Sequence, residues 1–291
     1  MSTIDTAWKW FLGELCNRYS ENEAKAMARV IFGHFFNIEP AFRILNSNTP
    51  FDIKNLRKLE NILSRLNEQE PVQYVTGIVQ FCDLLFNVDK RVLIPRPETE
   101  ELVQWVHEVL KKEFFSPMAR IKILDVGTGS GCIAVTMASN WPNAGVFACD
   151  ISADALAVAR ANAIKNKVRV KFFKCDVLTD SVPISGIDVV ISNPPYVLNK
   201  EKAFLKQNVV ENEPHVAIFV PDDDPLVFYR KIGSRAFVWL IPGGFLFFEI
   251  NEQLSEETAQ CILKAGFEGV TLRNDIHGKP RFLMAQKPIN S

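Results

Sequence analysis

Two short stretches of this 291-residue sequence carry residue types that could perform chemistry together. One is the tetrapeptide Asn193-Pro194-Pro195-Tyr196, and the other is the glycine-rich stretch from Asp125 to Gly131. Each follows an apolar run typical of a buried strand, so each predicts a loop at a strand end. Because the carboxyl ends of parallel strands meet at one edge of a sheet, we expect the two loops to lie side by side.

The tetrapeptide predicts a rigid loop with two hydrogen-bond acceptors, because successive prolines fix the backbone and Pro194 pushes Asn193 out of the helical region. The acceptors are the Asn193 side-chain oxygen and the Pro194 carbonyl oxygen, and Tyr196 adds a flat ring for stacking. Such a pair fits a planar NH₂ group and would aim its nitrogen at a methyl donor. We predict Asn193, Pro194 and Tyr196 as catalytic, and these with Pro195 as substrate-binding. A proline turn that only ends a buried strand is the structural alternative.

The glycine-rich stretch predicts a cofactor loop. Its glycines allow a sharp turn and close approach of a ligand, and the helix that follows directs free N–H groups to the same place. Asp150 ends the next strand, 19 residues after Gly131, where a carboxylate can accept both hydroxyls of a ribose. A nucleoside cofactor is therefore predicted, although a tight strand-to-helix turn would need the same glycines.

Two nucleoside cofactors are candidates for binding to this loop. A nicotinamide dinucleotide usually requires G-x-G-x-x-G, whereas the spacing here is G-x-G-x-G, and Asp125 would repel a pyrophosphate. S-adenosylmethionine has a ribose and a cationic methionine-like tail, and the sequence favours it. Residues 168–173 predict the third strand. Asp176 and Val177, which follow it, are placed to contact the adenine, Asp176 by accepting from the amino group and Val177 by packing. The predicted cofactor-binding residues are Gly127, Thr128, Gly129, Ser130, Gly131, Asp150, Asp176, Val177 and Asn193.

Apolar periodicity predicts the elements that position these loops. Residues 1–75 show helical spacing and carry nine basic and nine acidic residues, so a small neutral bundle suits a protein partner better than a phosphate-rich one. Residues 76–95 predict a β-hairpin or extended linker, with turns near Asn87 or Asp89-Lys90. Strands alternate with helices over residues 96–291, which predicts an α/β domain with a parallel sheet. Its last two strands, 267–273 and 281–286, should form an antiparallel pair.

Composition excludes several classes of protein. A hydrophobic fraction of 47% and a charged fraction of 23% are typical of globular domains, and a net charge of −1 argues against a globally basic nucleic-acid binder. No apolar run approaches about 18 residues and no signal peptide is recognisable, so we expect a cytoplasmic protein without membrane contact. The six cysteines and four histidines are scattered, and no metal site is predicted.

Over residues 20 to 286 the sequence resembles the HemK/PrmC family. The resemblance rests on residues 71–77, Phe81, residues 91–100 and the tetrapeptide. Members are protein-(glutamine-N5) methyltransferases that use S-adenosylmethionine to methylate the Gly-Gly-Gln loop of class 1 peptide chain release factors. The resemblance implies a Rossmann-like domain with a mostly parallel seven-stranded sheet and an antiparallel C-terminal strand. It also implies that the helices of residues 1–75 dock the release factor, with no direct contact to nucleic acid.

Some points stay open within this resemblance. Amino-methyltransferases of adenine N6 or guanine N2 in nucleic acids also carry an Asn-Pro-Pro-aromatic loop, and a non-catalytic cofactor-sensing module would share the glycine loop. Val177 stands where some relatives have an aromatic residue. Arg96 is implied to border the active-site mouth, but it could instead pair with Glu98 on the surface. Glu213-Pro214 matches a family element only loosely and is assigned no role.

Overall fold

The computed structural model describes residues 2–114, 116, 118–180, 184–205 and 207–290. The chain forms two compact units. The first comprises Met1–Ile78 with Lys206–Asn212, and the second comprises Val79–Leu205 with Glu213–Ser291. The residues predicted as a hairpin linker therefore cluster almost entirely with the second unit.

The described residues form eleven α-helices and eleven strands. The helices are α1 (Ile4–Cys16), α2 (Glu21–Phe36), α3 (Pro40–Leu45), α4 (Ile53–Asn67), α5 (Val72–Thr76), α6 (Pro97–Phe114), α7 (Cys132–Asn140), α8 (Ala153–Lys165), α9 (Gln207–Asn212), α10 (Val227–Trp239) and α11 (Ser255–Lys264). The strands are β1 (Ile78–Phe81), β2 (Leu84–Asn87), β3 (Lys122–Val126), β4 (Gly145–Asp150), β5 (Lys171–Lys174), β6 (Ile187–Ser192), β7 (Val197–Leu198), β8 (Phe219–Val220), β9 (Leu240–Glu249), β10 (Glu268–Asn274) and β11 (Pro280–Gln286).

The first unit is a helical bundle around an aromatic core. Helices α1, α2 and α4 each begin after a residue whose side chain accepts a backbone N–H of the first turn, namely Thr3, Ser20 and Asp52. Phe11 and Phe32 are fully buried, with ring centroids 5.9 Å apart. The predicted helical character of residues 1–75 is confirmed.

The second unit is built on a seven-stranded sheet with the order β10-β11-β9-β6-β3-β4-β5. Strand β11 runs antiparallel to both of its neighbours, and the pairs from β9 to β5 are parallel. The predicted α/β fold class with a mostly parallel seven-stranded sheet is therefore confirmed, as is the antiparallel pair at the C-terminal end.

Both faces of this sheet are covered, which explains why its central strands carry apolar residues toward both faces. Ile123 and Val189 point into one core, and the next residues, Leu124 and Val190, point into the other. The four are aligned in register on β3 and β6, Ile123 with Val189 and Leu124 with Val190. The two strands that precede the predicted loops are thus direct neighbours in the middle of the sheet.

The structure differs from the sequence prediction at two local points. The turn of the hairpin lies at Cys82 and Asp83, both with positive φ, and not at Asn87 or Asp89-Lys90. The Asp89 segment forms a separate turn, closed by the Val92 N–H on the Asp89 carbonyl. The third predicted strand began at residue 168, whereas β5 begins at Lys171 because its pairing with β4 starts only at Phe147. Within the described residues, no helix is long and apolar enough to cross a membrane.

Candidate active site

The ends of β3 and β6 bring the two predicted loops together. Val126 and Ser192 are partners in the parallel register, and the next residues along the chain are Gly127 and Asn193. The Ser192 hydroxyl donates to the Val126 carbonyl over 2.7 Å, so the two strand ends are bonded below the surface. Both loops open onto one cavity of about 240 Å³, formed entirely by the second unit.

Eight of the predicted site residues line this cavity, and four do not. Those on its wall are Gly127, Gly129, Asp150, Asp176, Val177, Asn193, Pro194 and Pro195. Thr128, Ser130, Gly131 and Tyr196 lie outside the wall.

Three of the residues outside the wall support the glycine loop from behind. The Thr128 hydroxyl donates to Asp125 over 2.6 Å. The Ser130 carbonyl accepts from the side chain of Asn162, which is fully buried and also bonds the backbone N–H and C=O of Asn87. At Gly131 a Cβ atom would lie 3.0 Å from that of Ala159, so this glycine is needed for close packing. The loop is thus fixed against α8 and β2.

The front of the glycine loop has the shape of a cradle. Gly127 and Gly129 have φ of +75° and +53°, and a Cβ on either would meet no atom within 4 Å. Asp150 accepts the Gly129 N–H at 2.8 Å and the Ser152 N–H at 2.9 Å, one on each carboxylate oxygen. Each oxygen keeps a further lone pair, so Asp150 can still accept hydroxyl groups from a ligand in the cavity.

Asp125 gives the strongest electrostatic signal beside this cradle. Its side chain is completely buried, and burial raises its pKa to about 7, with nearby Asp150 adding to the shift. One oxygen accepts from Thr128 and from the Ala134 N–H, while Oδ1 has no partner among the described residues. A buried carboxylate oxygen without a partner fits a cationic ligand. The chemistry of the two carboxylates, Asp150 on the cavity wall and Asp125 buried beside the glycine loop, therefore fits a ligand such as S-adenosylmethionine, which has a ribose and a cationic tail.

The remaining wall of the cavity is mostly apolar, and the sequence prediction missed much of it. Val177 is on this wall as predicted, and Asp176 is fixed by the Leu178 N–H bonded to its carboxylate. The apolar residues that were missed are Leu93, Val126, Cys149, Ile151, Cys175, Leu178, Val216, Ala217, Phe228 and Ile232. Ile151 could have been found, since it follows Asp150 directly. Phe228 and Ile232 belong to α10, and no local pattern connects that helix to the cofactor loop.

The tetrapeptide loop presents its two acceptors beside the cradle. The Asn193 side chain donates from Nδ2 to the Thr99 hydroxyl over 3.1 Å, which leaves its Oδ1 unused. The Pro194 carbonyl accepts no hydrogen bond from any described residue. Both residues line the cavity, so two oxygen acceptors are available to a ligand there.

Tyr196 has a different environment from the one its predicted stacking role implies. Its hydroxyl donates to the buried carboxylate of Glu249 over 3.0 Å, and burial together with Glu249 holds the pKa of Tyr196 well above its usual range. The residue lines a second cleft with Lys200, Phe204 and Arg281. Stacking of Tyr196 on a substrate remains a prediction.

Glu213, to which the sequence assigned no role, is a buried structural anchor. Its side chain is 1% exposed and accepts the Arg96 guanidinium at 2.6 Å and the Ile94 N–H at 3.1 Å. Arg96 therefore pairs with Glu213 and not with Glu98. Because Leu93 and Val216 both line the cavity, this anchor joins the two segments that supply these walls. The described residues contain no group of three or more His, Cys, Asp or Glu arranged to hold a metal ion.

Two family models match successive parts of the chain. The model described as PrmC N-terminal domain matches residues 6–77. The model described as Methyltransferase small domain matches residues 105–216.

Individual proteins extend this similarity over nearly the full length. A release factor glutamine methyltransferase of Flavobacterium psychrophilum is 43% identical, over 94% of this chain and 95% of the relative. One of Bacteroides thetaiotaomicron is 40% identical, over 92% of this chain and 95% of the relative. A crystal structure of a methyltransferase from Pyrococcus furiosus has a TM-score of 0.50 at 18% identity, over 79% of this chain and 100% of that one, which concerns the fold alone.

Proposed function

The chain belongs to the family of release factor glutamine methyltransferases, and on this premise we propose what it transfers and to which atom. It moves a methyl group from S-adenosylmethionine to the side-chain amide nitrogen N5 of the glutamine in the Gly-Gly-Gln loop of class 1 peptide chain release factors. The bond from the sulfonium to the methyl group breaks, and the cofactor leaves as S-adenosylhomocysteine. One observation carries the proposal. Asn193 and Pro194, which supply two free oxygen acceptors, share a cavity wall with Gly127 and Gly129 of the glycine cradle, so an amide and a nucleoside can meet there.

The cradle residues would hold the cofactor, which supplies a methyl group activated by its sulfonium. Asp150 would accept the ribose hydroxyls, and Asp125 would face the cationic tail across the loop that Gly127 and Gly129 leave open. Val177 and Ile151 would pack on the adenine, with Asp176 accepting from its amino group. An aromatic ring at residue 177 is not needed for this, because aliphatic packing buries the base as well.

The tetrapeptide would position the glutamine amide. Its nitrogen is a poor nucleophile, because its lone pair is delocalised into the carbonyl. When Asn193 Oδ1 and the Pro194 carbonyl each accept one amide hydrogen, the nitrogen is oriented and its lone pair is directed away from both acceptors. The additional proton can leave to water after the transfer, so no residue is assigned as a general base.

The helices of residues 1–75 are proposed as the docking domain for the release factor, with residues 76–95 as the linker and residues 96–291 as the methyltransferase domain. Helix α3 supports this role, since Phe42, Ile44 and Leu45 are exposed by 46%, 67% and 83%. Because release factors act on ribosomes, we place the reaction in the cytoplasm.

Labelling of a release factor tests the transfer. The protein is incubated with labelled S-adenosylmethionine and a class 1 release factor, either intact or with its loop glutamine replaced by alanine. We expect one methyl group on the intact factor and none on the variant. Equal labelling of both, or transfer to added DNA or ribosomal RNA without labelled protein, would contradict the proposed substrate.

Docking through α3 is tested separately by Leu45→Asp. A charge on this exposed residue should raise the KM for the release factor by about 10-fold and leave kcat unchanged, because only association is weakened. Ile164→Asp is the matched control, since Ile164 is 78% exposed on α8 in the second unit. Equal KM values for the two variants would exclude α3 from the docking surface.

A further inference from the structure

A buried hydroxyl stands directly behind the amide group of Asn193. Thr99 lies in the first turn of α6 and is 3% exposed. Its oxygen accepts from Asn193 Nδ2 at 3.1 Å, and its hydrogen is donated to Glu249 Oε2 at 2.7 Å. Thr99 therefore connects the cavity wall to a carboxylate that is 1% exposed.

The direction of this chain of hydrogen bonds is set at the Glu249 end. Glu249 accepts at both of its carboxylate oxygens, from the Tyr196 hydroxyl at one and from the Thr99 hydroxyl at the other, so the single Thr99 hydrogen points to Glu249. The Thr99 oxygen then offers Asn193 a lone pair and no hydrogen, and only the NH₂ end of the Asn193 side chain satisfies it. Consequently Oδ1 is the end of Asn193 that remains for the cavity.

The same short segment of chain holds the other end of the tetrapeptide. The second oxygen of Glu249 accepts the Tyr196 hydroxyl at 3.0 Å. Asn251, two residues later, donates from its side chain to the Tyr196 carbonyl at 3.0 Å. The end of β9 thus fixes residue 196 directly and residue 193 through Thr99. The direct contact between Glu249 and Tyr196 follows from the position of β9 beside β6, and the contact with residue 193 also requires Thr99 of α6.

We propose that Thr99 and Glu249 are positioning residues that keep the Asn193 side chain with its oxygen toward the substrate amide. The inference rests on the proposed function, in which Asn193 Oδ1 accepts an amide hydrogen. With the amide turned over, two NH₂ groups would face each other and the acceptor would be lost. Neither Thr99 nor Glu249 touches the substrate, so their loss should reduce turnover and not cofactor binding.

Two substitutions of Thr99 separate its hydroxyl from its volume. Thr99→Val keeps the shape and removes the hydroxyl, and Thr99→Ser keeps the hydroxyl. We expect Thr99→Val to lower kcat for release-factor methylation about 10- to 100-fold. Cofactor Kd, measured by calorimetry, should stay within about threefold of wild type, and Thr99→Ser should retain most of the activity.

The matched control for Thr99→Val is Thr136→Val. Thr136 is also buried in the second unit, but its hydroxyl has no partner among the described residues. Loss of a buried threonine hydroxyl as such should therefore leave kcat unchanged. If Thr136→Val and Thr99→Val lose the same activity, or if Thr99→Val is as active as Thr99→Ser, the positioning role is wrong.

A second variant covers the case in which Thr99→Val does not fold. Glu249→Gln has the same size, but its NH₂ group can donate to Thr99, whose hydrogen then turns to Asn193 and favours the reversed amide. We expect kcat to fall about 10- to 100-fold with cofactor Kd nearly unchanged. Full activity of Glu249→Gln would overturn the proposal.

A direct measurement separates this inference from the proposed function. Hydrogen exchange of the Asn193 side-chain NH₂, followed by NMR in the full chain without substrate, reports its bond to Thr99. We expect slow exchange in wild type and Thr99→Ser and fast exchange in Thr99→Val. Unchanged exchange in Thr99→Val would refute the positioning role, whatever the substrate is. A wild-type protein with the expected exchange pattern but no methylation of release factors would refute the proposed function alone.

Discussion

The glycine loop and the tetrapeptide loop lie at the same sheet edge but are held in place differently. The glycine loop is supported mostly from nearby in sequence, by Asp125 three residues before Thr128, by Asp150, 21 residues after Gly129, and by Asn162 of α8, 32 residues after Ser130. The tetrapeptide loop depends on residues 94 and 53 positions away, Thr99 at its start and Glu249 at its end. The cofactor site is thus mainly a property of the continuous segment from β3 to α8. The amide site exists only once the sheet and α6 have assembled.

Asn193→Ala should impair the positioning of the substrate amide without impairing cofactor binding, and it should have the largest effect on activity. Removal of the acceptor should lower kcat about 1,000-fold, while the cofactor Kd changes by less than about threefold, because the cradle and Asp150 remain. Single-turnover methyl transfer and calorimetry measure the two quantities. The exposed Asn140→Ala is the control. If methyl transfer and cofactor binding were lost together, the amide site and the cofactor site would not be independent.

Asp150→Asn should weaken cofactor binding without affecting the positioning of the substrate amide. One carboxylate oxygen is replaced by an NH₂ group that cannot accept a ribose hydroxyl or a backbone N–H, so the cofactor Kd should rise about 10- to 100-fold. At saturating cofactor, kcat should be nearly that of wild type. Asp154→Asn, an exposed change at the start of α8, is the control. A large fall in kcat at saturation would mean that Asp150 also shapes the amide side.

Asp125 should make cofactor binding depend on pH. Its raised pKa of about 7 means that the side chain is neutral below this pH and charged above it, so affinity for a cationic ligand should increase from about pH 6 to 8. Calorimetry should show an increase of several-fold in wild type and a flatter profile in Asp125→Asn. Any remaining slope is expected from Asp150, whose pKa is also raised by burial. Identical slopes would show that Asp125 does not sense the ligand charge.

The same titration acts on the protein without ligand. Because the pKa of Asp125 rises on folding, its contribution to stability is complete below about pH 4 and is lost as the pH rises through about 7. Thermal unfolding should therefore show a smaller decrease of Tm across this interval in Asp125→Asn than in wild type.

Two glycine substitutions should have the smallest effects, and they separate the glycine that is needed for packing from the glycine that is needed for cofactor binding. Gly131→Ala places a Cβ 3.0 Å from Ala159 at φ +82°, so it should lower the free energy of unfolding by about 2–3 kcal/mol. Gly127→Ala meets open space at φ +75°, so it should cost only about 1 kcal/mol but narrow the cradle and weaken cofactor binding. Tm and cofactor Kd should separate the two variants.

The helical Gly13→Ala is the control for this pair. A Cβ there meets no atom within 4 Å, and alanine favours the helix by up to about 1 kcal/mol, so its Tm should rise. If Gly127→Ala lowers Tm as much as Gly131→Ala and leaves the cofactor Kd unchanged, the cradle does not receive the cofactor.

The contrast between the loops also explains what could be predicted from the sequence. Strand β6 carries apolar residues at 187, 189, 190 and 191 because both of its faces are covered, and this pattern predicts a strand over residues 187–192, the limits of β6. The offset from Gly131 to Asp150 is one helix and one strand, and local spacing was enough to place both at the cavity or behind it. The hairpin turn was missed because Cys82 is not a typical turn residue, whereas Asn87 and Asp89 are.

The supports of the tetrapeptide could not be predicted in this way. Glu249 reaches Tyr196 because β9 is inserted between β11 and β6, and strand order is not encoded by spacing. Thr99 and Glu213 are polar residues whose patterns are typical of exposed positions, and only tertiary packing buries them. Cofactor chemistry was therefore accessible from short motifs, and the residues that orient the amide were not.

Asn162 carries a consequence for how this sequence can change over time. Its side chain bonds only main-chain atoms, the N–H and C=O of Asn87 and the carbonyl of Ser130. Nearly any substitution keeps the main-chain groups, so substitution of Asn87 or Ser130 would leave these hydrogen bonds possible. Asn162 itself has no such freedom, because no other side chain of its length offers both an acceptor and a donor there. In related sequences we therefore expect asparagine to be kept at position 162, while the residues at positions 87 and 130 can vary.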